Sequence, residues 1–268
     1  MKGNIKAKQM KKDAIKDVWN ANAEFWDNRM GEGNFFHKIL IEPAQLKLLD
    51  IKAGQKILDI ACGNGQFARK MSQIGAKVTG IDFAENMIKI ARAKSSKDIK
   101  FEVVDACKTT DLQKLSGNKF DAIVCTMAFM DMKEIRTLIK NSPMFLEKNG
   151  RFVFSLCHPC FNSGDFLLVH ERDDANGEVT SNYFVKIKNY LVEKSYKGVA
   201  MAGQPELQYY FHRPVSVILG YFFQSGFVLD AYEEPSFKDI DDDASIFRNV
   251  YHNIPPALVC RMRLKGYN

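Results

Sequence analysis

Asp59-Ile60-Ala61-Cys62-Gly63-Asn64-Gly65-Gln66-Phe67-Ala68 closes a short apolar run, residues 56–61, and opens a helical pattern over 66–74. A strand that passes through a glycine turn into a helix is the opening unit of a parallel α/β sheet. Glycine at 63 and 65 lets the chain turn tightly and lets a ligand lie against bare amides at a helix start. Gly63 to Ala68 also satisfies the dinucleotide pattern G-x-G-x-x-A. The turn therefore says nucleotide-like ligand without saying which, and a tight turn holding no ligand stays open at this point.

Outward from this turn, short apolar runs alternate with helical spacing. Residues 77–81, 100–104, 120–125 and 150–156 read as strands, and 84–94 and 132–146 as helices. Upstream, 13–30 and 35–49 carry helical periodicity, with Pro43 placed to begin the second main helix. The alternation stops after Phe161, and 162–211 is polar and aromatic, a small antiparallel addition. His212-Arg213-Pro214 opens a helix ended by Gly226, and 227–232 and 257–264 supply two last strands with no helix between them. The expected architecture is a Rossmann-like, mostly parallel seven-stranded sheet whose last strand is antiparallel, with helices on both faces. It divides into an N-terminal helical arm and lid (1–50), a cofactor-binding core (51–161), a substrate cap (162–211) and a C-terminal completion of the core (212–268).

Asp82 ends the second strand, 17 residues beyond Gly65, where a carboxylate accepts both hydroxyls of a ribose or caps the helix that follows. The surrounding text decides the class. Residues 57–65 (ILDIACGNG), 78–88 (VTGIDFAENMI), 101–106 (FEVVDA), 120–125 (FDAIVC) and 149–154 (NGRFVF) resemble, in order, the five motifs of class I S-adenosylmethionine-dependent methyltransferases. That resemblance implies S-adenosylmethionine as cofactor, with S-adenosylhomocysteine as product. It implies Asp59, Ala61 and Gly63 beside the methionine part with Gly65 in the turn, and Asp82 on the ribose. It puts Phe83 and Met87 on the adenine, Asp105 and the Ala106 amide at its polar edge, and Cys125 and Thr126 at the floor. Phe83 and Met87 suit a helix-start core equally well. Trp26 and Asn34 fall in a segment that closes over the cofactor in such enzymes.

The sulfonium cofactor carries its own leaving group, so the protein has to align nucleophile and methyl and exclude water. A carboxylate acceptor needs no base, whereas a hydroxyl or protonated amine does. His158, in Cys157-His158-Pro159-Cys160-Phe161, lies at a strand's carboxyl end and is expected to face the pocket. Those residues and the later Tyr210-Phe211-His212-Arg213 are similar to a subset of small-molecule and peptide methyltransferases, which adds Tyr210, His212 and Arg213 as catalytic candidates. The cap aromatics, among them Tyr183, Tyr190 and Tyr196, line a substrate pocket or form the cap's own core.

No metal is expected: Cys157 and Cys160 lack a second ligand pair, and Asp239 to Asp243 lack calcium-loop spacing. The chain of 268 residues has a net charge of +6, with Lys2, Lys6, Lys8, Lys11, Lys12 and Lys16 crowding its start as a solvated arm or a site for an acidic partner. No signal segment or 20-residue apolar run is read, and the six cysteines suit reduced thiols, so a cytoplasmic protein is expected, without nucleic-acid or membrane partners. The favoured activity is O-methylation, at carboxyl or hydroxyl, of a small molecule or peptide. N-methylation of a small metabolite, a nicotinamide-dependent oxidoreductase and a non-catalytic cofactor-binding protein are the alternatives.

Overall fold

The computed structural model describes residues 14–238 and 245–266. The lysines at 2–12 and the acidic run 239–243 lie outside the described residues. In chain order the elements are α1 (Ala14–Met30), a π-helical turn (His37–Ile41), α2 (Glu42–Leu49), β1 (Lys56–Ile60), α3 (Gln66–Gln73), β2 (Lys77–Asp82), α4 (Glu85–Lys94), β3 (Lys100–Val103) and α5 (Thr109–Leu112). There follow β4 (Phe120–Cys125), α6 (Ile135–Asn141), β5 (Leu146–Cys157), β6 (Asp165–Asp173), β7 (Thr180–Lys188), β8 (Lys194–Gly198) and β9 (Gln208–His212). The chain closes with α7 (Val215–Gln224), β10 (Phe227–Glu233), α8 (Ile246–Val250) and β11 (Ala257–Leu264).

The central sheet has seven strands in the order β10-β11-β5-β4-β1-β2-β3, and β11 runs antiparallel to both of its neighbours. The alternation of side chains builds two apolar layers at once. Leu58 and Ile60, Ile123 and Cys125, Phe152 and Phe154, and Leu258, Cys260 and Met262 face one layer. Ile57, Ala122, Val124, Val153 and Val259 face the other. A strand apolar on both faces must be covered on both, which is why helices flank each side of the sheet. The first layer is filled by aromatic rings: Phe154 stacks on Phe129 at 4.9 Å and on Phe222 at 5.0 Å.

Three details differ from the sequence expectation. The predicted helix 132–146 is only α6, followed by a 3₁₀ turn over Ser142–Phe145, because Pro143 cannot continue an α-helix. Leu146 already pairs with Phe120 in the sheet. A one-turn helix, α8, stands between the last two strands, where no helix was expected. The segment after β5 forms two separate ribbons, β6–β7 and β8–β9.

Candidate functional site

Strand order reverses at β1, which has β2 on one side and β4 on the other. Open parallel sheets bind ligands at the carboxyl ends of strands at such a switch point. A cavity of about 650 Å³ opens there, lined by residues after β1 (Ala61, Cys62, Gly63), β2 (Asp82, Phe83), β3 (Asp105, Ala106) and β4 (Thr126, Met127), with Asp59 from within β1. Helix α1 and the π-helical turn roof it through Trp19, Trp26, Met30 and His37.

The turn is held open by its own backbone. Ala61, Gly63 and Gly65 have φ of +55°, +54° and +76°, and Met127 on the opposite wall has +49°. Left-handed conformations at non-glycine residues cost free energy and cluster at functional walls. Gly63 donates its N–H to Asp82 Oδ2 at 3.0 Å, and Ala84 donates to Oδ1 at 2.8 Å. Asp82 thus ties the β1 turn to the β2 turn and keeps lone pairs on both oxygens. A Cβ on Gly63 would meet open space, whereas one on Gly65 would lie 2.8 Å from Phe101 Cζ and 3.0 Å from Ala91 Cβ. Gly65 is therefore a packing glycine outside the cavity lining. Gly65→Ala should destabilise the fold by roughly 1–3 kcal/mol through strain and overpacking. A melting temperature equal to wild type would refute this.

Five carboxylates line the cavity, Asp59, Asp82, Asp105, Asp131 and the exposed Glu134, which caps α6. Both Asp59 oxygens are buried and accept no hydrogen bond among the described residues. Burial, then the neighbouring Asp82 charge, pushes its pKa up to about 8. Burial likewise raises Asp82 to about 6, opposed by the backbone amides it accepts from. Asp105 pairs with Lys108 at 2.9 Å. Asp131 accepts from Gln208 Nε2 at 3.0 Å. An orphaned, buried acid in a ligand-sized cavity is a place for a cation. A dinucleotide would set its pyrophosphate on this turn beside the unpaired Asp59 carboxyl; a sulfonium amino acid brings an ammonium and a sulfonium against a single carboxylate, a net positive charge. The residues present therefore fit S-adenosylmethionine.

The roof is tied down. Asn64 donates to Asp27 Oδ1 at 2.9 Å, Lys94 pairs with Asp27, and Lys16 pairs with Glu85. Trp19 and Trp26 pack with Phe83, Ala84 and Met87.

Ten residues read from the sequence line the cavity together: Trp26, Asp59, Ala61, Gly63, Asp82, Phe83, Met87, Asp105, Ala106 and Thr126. Others stand elsewhere. Cys125 has the parity of Ile123 and is buried in the apolar layer beneath α6 and α7, which explains its raised pKa. Asn34 accepts from the His37 amide at 3.0 Å, at the start of the π-helical turn.

None of the four catalytic candidates lines the cavity. His158 is 2% exposed; its Nδ1 accepts from the Cys160 amide at 3.1 Å, so Nε2 carries the proton toward Glu234 at 2.9 Å. Burial lowers its pKa against the pull of Glu234. The chain turns sharply at this strand end, and the ring points back into the turn, 4.6 Å from Phe161. His158→Ala is expected to cost roughly 2–4 kcal/mol of stability with affinity for S-adenosylhomocysteine unchanged. A variant as stable as wild type but altered in that affinity would contradict the structural assignment. His212 bonds Ser163 Oγ at 3.0 Å and donates to the Tyr190 carbonyl at 2.7 Å. Arg213 donates to the carbonyls of Phe129, Met132 and Lys133 at 2.7–3.2 Å, clamping the loop after β4 that forms one cavity wall. Tyr210 stacks on Tyr196 at 5.4 Å in the second ribbon. The other cap aromatics also lie outside the lining: Tyr183 packs with Phe247 and Leu168, and the Tyr190 hydroxyl accepts from the Val215 amide.

Sequence reading missed His37 and Asp131. His37 Nδ1 is buried without a partner, and burial lowers its pKa to about 4. It sits in an irregular π-helical turn that no periodicity announces. Asp131 lies in the loop after β4, where the carboxyl-end rule was available as a signal.

Comparison with known proteins bears on the fold and the cofactor class. Residues 58–154 match the family model described as a methyltransferase domain. A crystal structure of an S-adenosylmethionine dependent methyltransferase from Mesorhizobium loti superposes with a TM-score of 0.64 at 28% identity, covering 82% of this chain and 96% of that one. Residues 58–154 thus match a methyltransferase domain, and the chain is similar to S-adenosylmethionine-dependent methyltransferases over most of its length. The chain is also 27% identical to an uncharacterised protein of Haemophilus influenzae over 85% of this chain and 88% of that protein. It is 25% identical to a ubiquinone biosynthesis O-methyltransferase of Coxiella burnetii, across 55% of this chain and 63% of that protein. Among the described residues no helix is long and apolar enough to cross a membrane, and no three His, Cys, Asp or Glu side chains are grouped to hold a metal.

Proposed function

We propose that this protein transfers the methyl group of S-adenosylmethionine to oxygen of a small molecule. The observation that carries the proposal is the unpartnered Asp59 carboxyl in the switch-point cavity, one turn from an Asp82 that still has lone pairs to give. When bound, the cofactor supplies an activated methyl group on a sulfonium leaving group. Asp59 and the open face at Gly63 receive the cationic amino-acid part, and Asp82 accepts from the ribose hydroxyls. Phe83, Met87 and Trp26 sandwich the adenine, and Asp105 with the Ala106 amide reads its edge. The roof of α1 excludes water from the reacting atoms.

Two features support a small acceptor. Cofactor and acceptor share about 650 Å³, and much of the wall is Trp19, Met30, Met127 and Met132. The named similarity to an O-methyltransferase supports oxygen as the acceptor atom. The test is incubation with methyl-labelled S-adenosylmethionine and a fractionated cell extract. Label is expected in a low-molecular-weight product, stable to alkali for an ether and labile for an ester. Label confined to protein or nucleic acid, or to base-stable N-methyl products, would overturn the reading.

A further inference from the structure

The cavity wall opposite the cofactor turn is built from the loop after β4, and the second ribbon fastens it. The Phe211 amide donates to the Met130 carbonyl at 2.7 Å, the Asp131 amide to the Ala128 carbonyl at 2.9 Å, and Arg213 holds three more carbonyls of the same loop. Five such bonds fix the position of Asp131, whose side chain lines the cavity.

Gln208 Nε2 is the one side-chain hydrogen-bond partner of Asp131 among the described residues, and no lysine or arginine pairs with it. Gln208 is itself 1% exposed, and its Oε1 is buried with no partner. The pair therefore offers acceptors and no spare cation. Burial raises the pKa of Cys125 on β4, Cys157 on β5, Tyr196 on β8 and Tyr210 on β9, and the nearby Asp131 adds a smaller push to each, so the carboxyl sits where core and cap strands converge. Burial pushes the Asp131 pKa well above the ordinary carboxylate range, against the Gln208 hydrogen bond, as suits a group that takes up a proton. The lysines of the cavity are used or peripheral: Lys16 pairs with Glu85, Lys108 with Asp105, and Lys133 is exposed.

From this arrangement we infer that Asp131, positioned by Gln208, is the acceptor-binding carboxylate, and that it selects an acceptor oxygen arriving with a proton, a hydroxyl, against a carboxylate. The inference deepens the methyltransferase reading and rests on it. In one transfer a bond forms from the acceptor oxygen to carbon, and the carbon–sulfur bond breaks with its electron pair left on sulfur. The proton lost by the nucleophile passes to Asp131, then to water as product leaves. A carboxylate acceptor would meet Asp59, Asp82, Asp105 and Asp131 in one low-dielectric cavity and would have no proton to give.

Three probes of similar size separate the cases: catechol for the hydroxyl, benzylamine for the amine and benzoate for the carboxylate, each titrated into protein saturated with S-adenosylhomocysteine. Catechol is expected to bind at least tenfold more tightly than benzoate and more tightly than benzylamine. Asp131→Asn should weaken the preferred donor at least tenfold, and Gln208→Met severalfold, while affinity for S-adenosylhomocysteine stays within twofold of wild type and so reports an intact fold. Benzoate binding as tightly as catechol, catechol failing to bind, or catechol binding Asp131→Asn as it binds wild type would overturn the inference alone, and benzylamine binding in preference to catechol would overturn the oxygen reading. Failure of wild type to bind S-adenosylhomocysteine would overturn the cofactor reading with it.

Discussion

Asp59→Asn is expected to raise the melting temperature of the ligand-free protein at pH 8 and to remove most of its affinity for S-adenosylmethionine. Both effects come from one orphaned carboxyl. In the folded chain its pKa is about 8, far above the ordinary carboxylate range, because it is buried with no partner beside Asp82. The folded state thus holds a proton that the unfolded state has released. Stability must then fall as pH rises from about 4, where the unfolded group titrates, toward the folded pKa near 8. The asparagine variant loses that slope, and each kcal/mol recovered adds roughly 2–4 °C. Binding moves the other way. Removing the negative partner of a buried cation costs about 3–5 kcal/mol, on the order of 10²–10⁴-fold in affinity. Wild type should also release a proton when the cofactor binds at pH 7, read as a dependence of the calorimetric heat on the buffer's ionisation enthalpy. A melting temperature lower than wild type at pH 8, with affinity retained, would refute the assignment.

Asp82→Ala is the second large effect. The carboxylate holds the Gly63 and Ala84 amides and has lone pairs left for two hydroxyls. Losing two charge-assisted hydrogen bonds of about 1.5–3 kcal/mol each predicts a loss of affinity of 10² or more. The fold should survive, because the sheet pairing of β2 with β1 and β3 does not involve this side chain. It also removes a charge that raises Asp59, so the pH slope of stability should move to lower pH in the variant. Unchanged affinity, or an unmoved pH slope, would count against it.

These predictions depend on features that were legible in the sequence to different depths. Strand parity and the glycine turn were readable because period-two burial and left-handed φ have direct residue signatures, so 57–65 and 78–82 fall where the sheet needs them. Gly65 shows the limit of that reading: it belongs to the same motif as Gly63, yet its missing Cβ makes room for Phe101 instead of a ligand. His158 shows another. A strand's carboxyl end narrows a residue to a neighbourhood, but the turn at Cys160 decides which way the ring points. Asp131 was hidden for a related reason. Its significance depends on Gln208, 77 positions away, and on a ribbon whose docking no local pattern encodes.

A crystal structure with S-adenosylhomocysteine bound tests the central claim most directly. The account predicts the amino-acid part against Asp59 and Gly63, both ribose hydroxyls within hydrogen-bonding distance of Asp82, and free volume beyond the sulfur facing Asp131. A ligand seated elsewhere, or a ribose that leaves Asp82 untouched, would contradict it.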